Sequence, residues 1–563
     1  MTEDQLRLAA EFPAVTRREW EEAAEASLHG RKLAALESED LDGIRSQIIY
    51  FASQDSGAAA NCGRPEATRQ LARRQFVHDA QDVADAVAAD IEAIIAAPAL
   101  VVELELAAAP AIFLPTGECT VDEIRAQLSL VANESETGMG GLGIDPLGQH
   151  LLSPTLNLSD VPVLVAEATS TCPGLISLSV SSAAIHLGGA SDAQELGMLL
   201  ASSTSYLRVL EQHGIGPGVA ASRMEWSLQL DPNFFRSVTK LRAARNLVDA
   251  LFTACGVQCR VGIHATTAER TFTLAEPSVN LLRSSSAVAA ALVGGANSIS
   301  VLPSDTRSPG RDAMAARMAR NIPLVLFEEA KLARVADPAG GSWYFEQHTT
   351  LLEKRAWDFF QLIESQGGMP AVLADGWLHE KIAETADIRR QLIADRSVPL
   401  TGVSEFPLIG DELITELTPP RVSGFDSHYL DEDFTRLRQA ADGRANDAGP
   451  LCVDVVCLGS QAEYSERFSW LSNLLAAGGI MAEPVGVESL GSGAVVVICG
   501  SDESYVQHGM QVLGEVRERG ASRVIAVGRR SLIDGLEFDE VIGPNLDAVA
   551  FLDRLHRLLG VGQ

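Results

Sequence analysis

The chain is short of positive charge. Its 563 residues include 44 lysines and arginines against 75 aspartates and glutamates, a formal net charge of −31. Nucleic-acid backbones attract Lys/Arg surfaces, so this balance argues against such a partner, and its plainest meaning is a solubilising acidic surface. Long hydrophobic runs are missing too, since no stretch of about 18 uncharged apolar residues reads as a membrane span. The opening MTEDQLRLAAEFP lacks the basic stretch and apolar core of a secretory signal, so a cytoplasmic location is expected. Cysteines are not grouped as in metal sites or disulfide scaffolds. The eight are scattered, and although Cys255 and Cys259 lie one helical turn apart, no second Cys/His pair at metal spacing accompanies them. No metal site is expected, and the thiols read as buried groups in a reducing compartment.

What is present is a packed composition, 46% hydrophobic and 21% charged, over a length that needs more than one core. Residues 1–45 are polar, carry the helical stretch TRREWEEAAEASLHGRK, and read as an N-terminal arm that packs on its own chain or on a partner subunit. The spacing predicts a helix over 67–96. Strand-like runs follow: ALVVELELA, VPVLVAEAT, LISLSV, RMEWSLQL, CRVGIHATT, SISVLP and PLVLFE, alternating in large part with helices such as DAQELGMLLASSTSYLRVLEQHG and NFFRSVTKLRAARNLVDALFTACG. Strands followed by helices imply parallel βα units, and about seven or eight of them predict a (β/α)8 TIM barrel over 46–400. Residues 401–450, rich in Pro, Gly, Asp and Asn, read as a linker. From 451 to 563 the strands CVDVVCLG, AVVVICG, RVIAVG and DEVIGP alternate with helices, which predicts a flavodoxin-like α/β domain.

Fold alone does not decide function, but three blocks narrow it. NLLRSSSAVAAALVGGANSISVLPSD (280–305), the stretch 317–369 with DPAGGSWYFE at Asp337–Glu346, and KLRAAR at Lys240–Arg245 closely resemble the methylmalonyl-CoA mutase family. The resemblance implies an adenosylcobalamin-dependent carbon-skeleton mutase: Co–C homolysis makes a radical, and an acyl-CoA rearranges inside a barrel that excludes water. It also implies that cobalamin sits between the barrel and the C-terminal domain, with a His from a D-x-H-x-x-G loop on cobalt.

The family's own parts can be sought residue by residue. On the cobalt loop, the resemblance puts Cys457 at the family's Lys, Gln461 at its Asp, Glu463 at its His and Glu466 at its last Gly. An imidazole ligand and the carboxylate that orients it are both missing, so the loop is degenerate. The family's Gly-Gly pair falls on Arg529-Arg530, expected to fill the nucleotide tunnel. In the barrel, Ala183-Ala184 stand at the family's Tyr-His, with His186 two residues out of register. Gly141 and Gly143 replace the Thr and Gln of GTIQND, Glu225 replaces a Ser, and Thr266 and Glu269 replace the Gln and Gly of HCQTSG. Arg223 and His264 match family positions and, with His186, are vestigial substrate-pocket candidates. Their plainer reading is structural: a salt-bridged Arg, and a barrel-mouth His with a backbone partner.

Two motifs read from chemistry alone. DPAGGSWYFE has paired glycines before a helix but lacks a Walker Lys, so it reads as a tight turn capped by Ser342 with Glu346 beyond. The basic positions of LRAAR and ARMAR read as solvated or ion-paired. Within the family the pattern resembles the small (β) subunit of the heterodimeric bacterial form. It implies a large (α) catalytic subunit as partner, adenosylcobalamin held by that partner, and no catalytic residue on this chain. Two alternatives stay open: an independently active adenosylcobalamin-dependent mutase, and a non-catalytic acyl-CoA-binding regulatory protein.

Overall fold

The structure, a computed structural model, describes residues 15–51, 72–77, 93–96, 111–113, 120–134, 140–150, 156–308, 312–410, 428–529 and 536–561. Eight parallel strands close a TIM-barrel-like barrel: β1 (Ala72–Val77), β2 (Ala93–Ala96), β3 (Ala111–Phe113), β4 (Gly140–Ile144), β5 (Ile176–Ser181), β6 (Met224–Leu230), β7 (Gly262–Thr267) and β8 (Ser298–Ser300). Each strand pairs with the next, and β8 closes on β1 through Ser298↔Ala72.

Side chains alternate across a strand, so each strand offers one face to the surrounding helices and one to the lumen. The outer face is apolar. Leu178, Val180, Trp226, Leu228, Ile263 and Ile299 belong to one large core with helical residues, and Trp226 Nε1 donates to Ser203 Oγ at 2.9 Å. The inner face is small and polar. Ser181, Ser227, His264 and Ser298 stand in register on neighbouring strands, with Ser179 and Glu225 on one side and Thr266 and Ser300 on the other. On β4, Leu142 and Ile144 join the outer core, which turns Gly141 and Gly143 inward. A barrel of this type is ordinarily filled by branched aliphatic side chains; the inward positions of β4–β8 carry none.

Three expectations about elements are corrected. Within 67–96, residues 72–77 and 93–96 are strands, because pairing in the closed barrel overrides local helical spacing. VPVLVAEAT is helix α2 (Val161–Thr171), whose buried Val161, Leu164, Val165 and Ala168 follow the helical repeat, with Pro162 in the first turn. PLVLFE ends a helix (Ala313–Leu324) that runs through Pro323 into a π-turn over Val325–Glu329. The run 99–107 lies outside the described residues.

The barrel's outer layer includes α3 (Asp192–Gln212), opened by a Ser191/Gln194 capping box, α4 (Phe234–Ala254), α5 (Pro277–Gly294), α6 (Trp343–Ser365) and α7 (Trp377–Ala394). The N-terminal helix α1 (Arg17–Ser27) has no buried residue. The segment after it is tied down: Asp42 accepts from Ala193 N at the start of α3, and Tyr50 Oη meets His348 Nε2 at 2.6 Å.

A second, open sheet takes the order β10-β9-β11-β12-β13, all parallel: β9 (Leu451–Cys457), β10 (Ile480–Pro484), β11 (Val495–Cys499), β12 (Arg523–Val527) and β13 (Glu540–Ile542). Both faces are covered. Val453, Val455 and Val497 pack with Phe434, Leu475 and Phe551, while Val456, Val496 and Ile498 pack with Tyr505 and Val516. Phe434 lies on α8 (Glu432–Ala448), so part of the expected linker is a helix of this second core. The other helices are α9 (Gln461–Ala477), α10 (Asp502–Glu518) and α11 (Ala548–Leu558).

Candidate functional site

The carboxyl ends of barrel strands are where such a fold assembles chemistry. Here they carry a dense buried ion network. His186, on the short helix Ala183–Leu187 after β5, is 2% exposed, with Nδ1 2.6 Å from Glu195 and Nε2 3.2 Å from Asp231. Lys240 of the KLRAAR block reaches Glu195 at 2.8 Å and Asp192 at 3.2 Å, and donates to Gln229 O at 3.0 Å. Arg236 pairs with Asp192 at 3.0 Å, and Arg270 with Asp231 at 2.7 Å. Burial opposes ionisation of Asp192, Glu195 and Asp231, but Lys240, Arg270 and His186 hold these carboxyls below their ordinary range. For Lys240, burial is likewise outweighed, and the facing carboxylates push its ammonium upward. Asp42 is the exception: burial and the neighbouring Asp192 push it up to about 6.

His186 is therefore held between carboxylates rather than presented to the lumen. His264 does face the lumen, with Nδ1 2.8 Å from Ser298 Oγ and Nε2 3.3 Å from Thr266 Oγ1. Arg223 precedes β6, at the opposite end of the barrel, and its guanidinium donates to Pro173 O and, at 3.4 Å, to Leu175 O. The three candidates thus occupy three separate environments. The basic block is ion-paired but not solvated, since Arg242 is buried against Asp337 and Glu346. In DPAGGSWYFE the turn is closed by Glu346, which accepts from Gly341 N at 2.9 Å, while the Ser342 side chain makes no cap bond.

The stretch 428–431 lies across the barrel's carboxyl-terminal loops. His428 N donates to Leu187 O at 2.9 Å and Leu430 N to Arg270 O at 3.0 Å. Tyr429 Oη donates to Glu269 at 2.7 Å, and the Arg307 guanidinium stacks 3.7 Å from the Tyr429 ring centroid while pairing with Asp431. Glu269, standing at a family glycine, is engaged in this strap.

In an open parallel sheet the ligand crevice lies outside the strand ends where the order reverses, here between β9 and β11. The loop from Cys457 to Glu466 sits there, and its content is a helix start. Glu463 accepts from Ser460 N at 2.7 Å and Ser460 Oγ at 2.6 Å, so α9 begins directly after the strand. These bonds to Ser460 hold the Glu463 carboxyl below its usual range. Gly459 (φ +82°) leaves no room for a Cβ, which would meet Glu463 at 2.8 Å and Ser504 at 2.9 Å. Gln461 and Glu466 are exposed on the same helix, and Cys457 ends β9 half-buried.

Two residues that sequence reasoning missed fill the space beside this loop. Arg467 Nη1 donates to Gly500 O at 2.6 Å, and its Nη2 pairs with Asp502. Tyr505 is buried, donating to Ile498 O at 2.5 Å and accepting from Val527 N at 3.1 Å. Arg529, expected to fill a tunnel, is exposed, and Arg530 lies outside the described residues. The donor set therefore does not fit a cobalamin held in the family's manner: no imidazole stands on the loop, and its carboxylate caps a helix.

Among the described residues no helix is long and apolar enough to cross a membrane, and no group of three or more His, Cys, Asp or Glu is placed to hold a metal ion. A profile of the methylmalonyl-CoA mutase family matches residues 148–453. The chain is 38% identical over 442 residues to a methylmalonyl-CoA mutase small subunit of Streptomyces virginiae, covering 75% of this chain and 71% of that protein. It is 34% identical to a probable methylmalonyl-CoA mutase small subunit of Mycobacterium tuberculosis (strain ATCC 25618 / H37Rv), covering 74% and 70%. It is 27% identical to a methylmalonyl-CoA mutase of Rhizobium meliloti (strain 1021), covering 53% and 44%. The barrel, the matched profile and these relatives agree: the chain belongs to the methylmalonyl-CoA mutase family.

Proposed function

We propose that this chain is the small, non-catalytic subunit of a methylmalonyl-CoA mutase. It supports a large subunit that interconverts methylmalonyl-CoA and succinyl-CoA with adenosylcobalamin, and the cofactor is held by that partner. The observation that carries the reading is the Ser460–Glu463 helix cap at the position of the family's cobalt loop. The second sheet, with its reversed strand order, is the counterpart of the family's flavodoxin-like cobalamin domain, kept as architecture.

The domain plan belongs to the same proposal: arm 1–45, barrel 46–400, linker 401–450, whose helix α8 packs into the second core, and second domain 451–563. The arm and an adjoining aromatic patch form the subunit contact. No residue of helix α1 is fully buried, although Trp20 meets the Phe51 ring edge-on, while Phe51, Phe235 and Trp343 are 36%, 55% and 52% exposed beside Tyr50 and Tyr344. In a chain with 5% aromatics, such a patch has the composition of an interface centre. Copurification with a large subunit tests the reading. Phe235→Glu, at a position 55% exposed, should weaken assembly by roughly tenfold or more, the effect of losing about 1.4 kcal/mol at a buried anchor. A wild-type chain that stays a monodisperse monomer beside the large subunit overturns the proposal.

One observation favours a second reading, acyl-CoA binding without turnover. On β4–β8 the lumen is lined by Gly141, Gly143, Ser181, Ser227, Thr266 and Ser300, small groups in place of aliphatic packing. Calorimetry with acyl-CoAs on the isolated chain decides it, and absence of heat removes it.

A further inference from the structure

Cys457 and Cys499 end two neighbouring strands and are paired directly in register. Both belong to the same face of the sheet, packed with Val455 and Val497. Cys499 is buried and Cys457 half-buried, and both are free thiols. Neighbouring strands stand about 4.8 Å apart, so the register brings the two thiols within reach of one shared ion, and the same spacing lies inside the Cα range of about 4.4–6.8 Å that a disulfide takes.

The ligand count then selects the ion. Among the described residues, no group of three or more His, Cys, Asp or Glu surrounds this pair, so a tetrahedral zinc site cannot be completed there. Soft thiolates without other ligands suit an ion content with two sulfurs. We propose that Cys457 and Cys499 form a two-coordinate thiolate site for a soft monovalent ion of the copper(I) class. On binding, two S–H protons leave to solvent and two S–Cu bonds form, with no electron transferred. The product carries one negative charge, and the Arg467 guanidinium stands near enough to Cys499 to offset it. Burial pushes both thiols up, Cys499 to about 12, so without metal the pair stays protonated and slow to oxidise.

The test is anaerobic competition of the reduced full chain for Cu(I) against bathocuproine disulfonate. The expected result is one tightly held Cu(I) per chain, weakened at least tenfold in Cys457→Ser and in Cys499→Ala. Cys255→Ser/Cys259→Ser should leave it unchanged. Release of two protons predicts an affinity that falls about 100-fold per pH unit on acidification. Equal retention by both single variants, with melting curves like the parent, overturns the proposal, as does a loss that follows the Cys255/Cys259 pair. Cys457 is half-buried, so its serine variant stays informative if Cys499→Ala fails to fold.

Discussion

Asp42 offers the sharpest test of how the ion network is balanced. Its carboxylate sits at the start of α3, accepting from Ala193 N at 3.3–3.4 Å, a place where a negative charge ordinarily helps a helix. It is also buried beside Asp192, and burial and that neighbour push it from 3.8 up to about 6. The sign follows from which state releases its proton first. Between pH 3.8 and 6 the unfolded chain ionises while the folded one keeps its proton, so stability falls as pH rises, and the full penalty applies above 6. About two pH units correspond to about 3 kcal/mol. Asp42→Asn keeps an oxygen to accept the amide and removes the charge. The variant should therefore be more stable than the parent at pH 8 by up to about 3 kcal/mol, by about half that at pH 5, and indistinguishable only near pH 3, below both values. With about 2 °C per kcal/mol for a domain of this size, scanning calorimetry should show a rise of about 6 °C at pH 8. A variant that melts lower at pH 8 would refute the reasoning and make the carboxylate a net stabilising cap.

Other expectations follow from the same geometry. Lys240→Met leaves Glu195 and Asp192 without their nearest cation and should cost about 3–5 kcal/mol, read as a large fall in barrel melting temperature or loss of soluble chain. The double variant Gln461→Asp/Glu463→His should not gain cobalamin, because both positions lie in the first turn of α9, which starts directly after the strand; a bound-cofactor absorption spectrum would contradict this. His264→Ala should leave the assembled mutase's kcat unchanged, whereas a fall of about 10²–10⁴, the range for a lost general acid or base, would assign it a catalytic role.

The second sheet was largely legible in the sequence. Each apolar run there is flanked by turn residues and follows the period of a buried strand, and four of its five strands were read so. The barrel was legible only in its later half. Strand β4, GGLGI, has three glycines and no strand signal of its own; neighbours on both sides define it. VPVLVAEAT shows the opposite failure, since its Val-rich composition suits a strand while its buried positions keep helical spacing. At the loop, sequence comparison exposed what is missing but not what replaced it. Arg467 and Tyr505 matter because they reach strand-end carbonyls far away in sequence, and no local pattern announces that. The ion network escaped for the same reason: His186, Glu195, Asp231 and Lys240 meet only when β5 and β6 are side by side.

The central claim is that cofactor chemistry resides on a partner. Its most direct test is cobalamin stoichiometry, measured by absorbance on the purified complex of this chain with a large subunit and on this chain alone. The account predicts one adenosylcobalamin per heterodimer and none on the isolated chain. Two per heterodimer, or a cofactor spectrum from this chain alone, would contradict it.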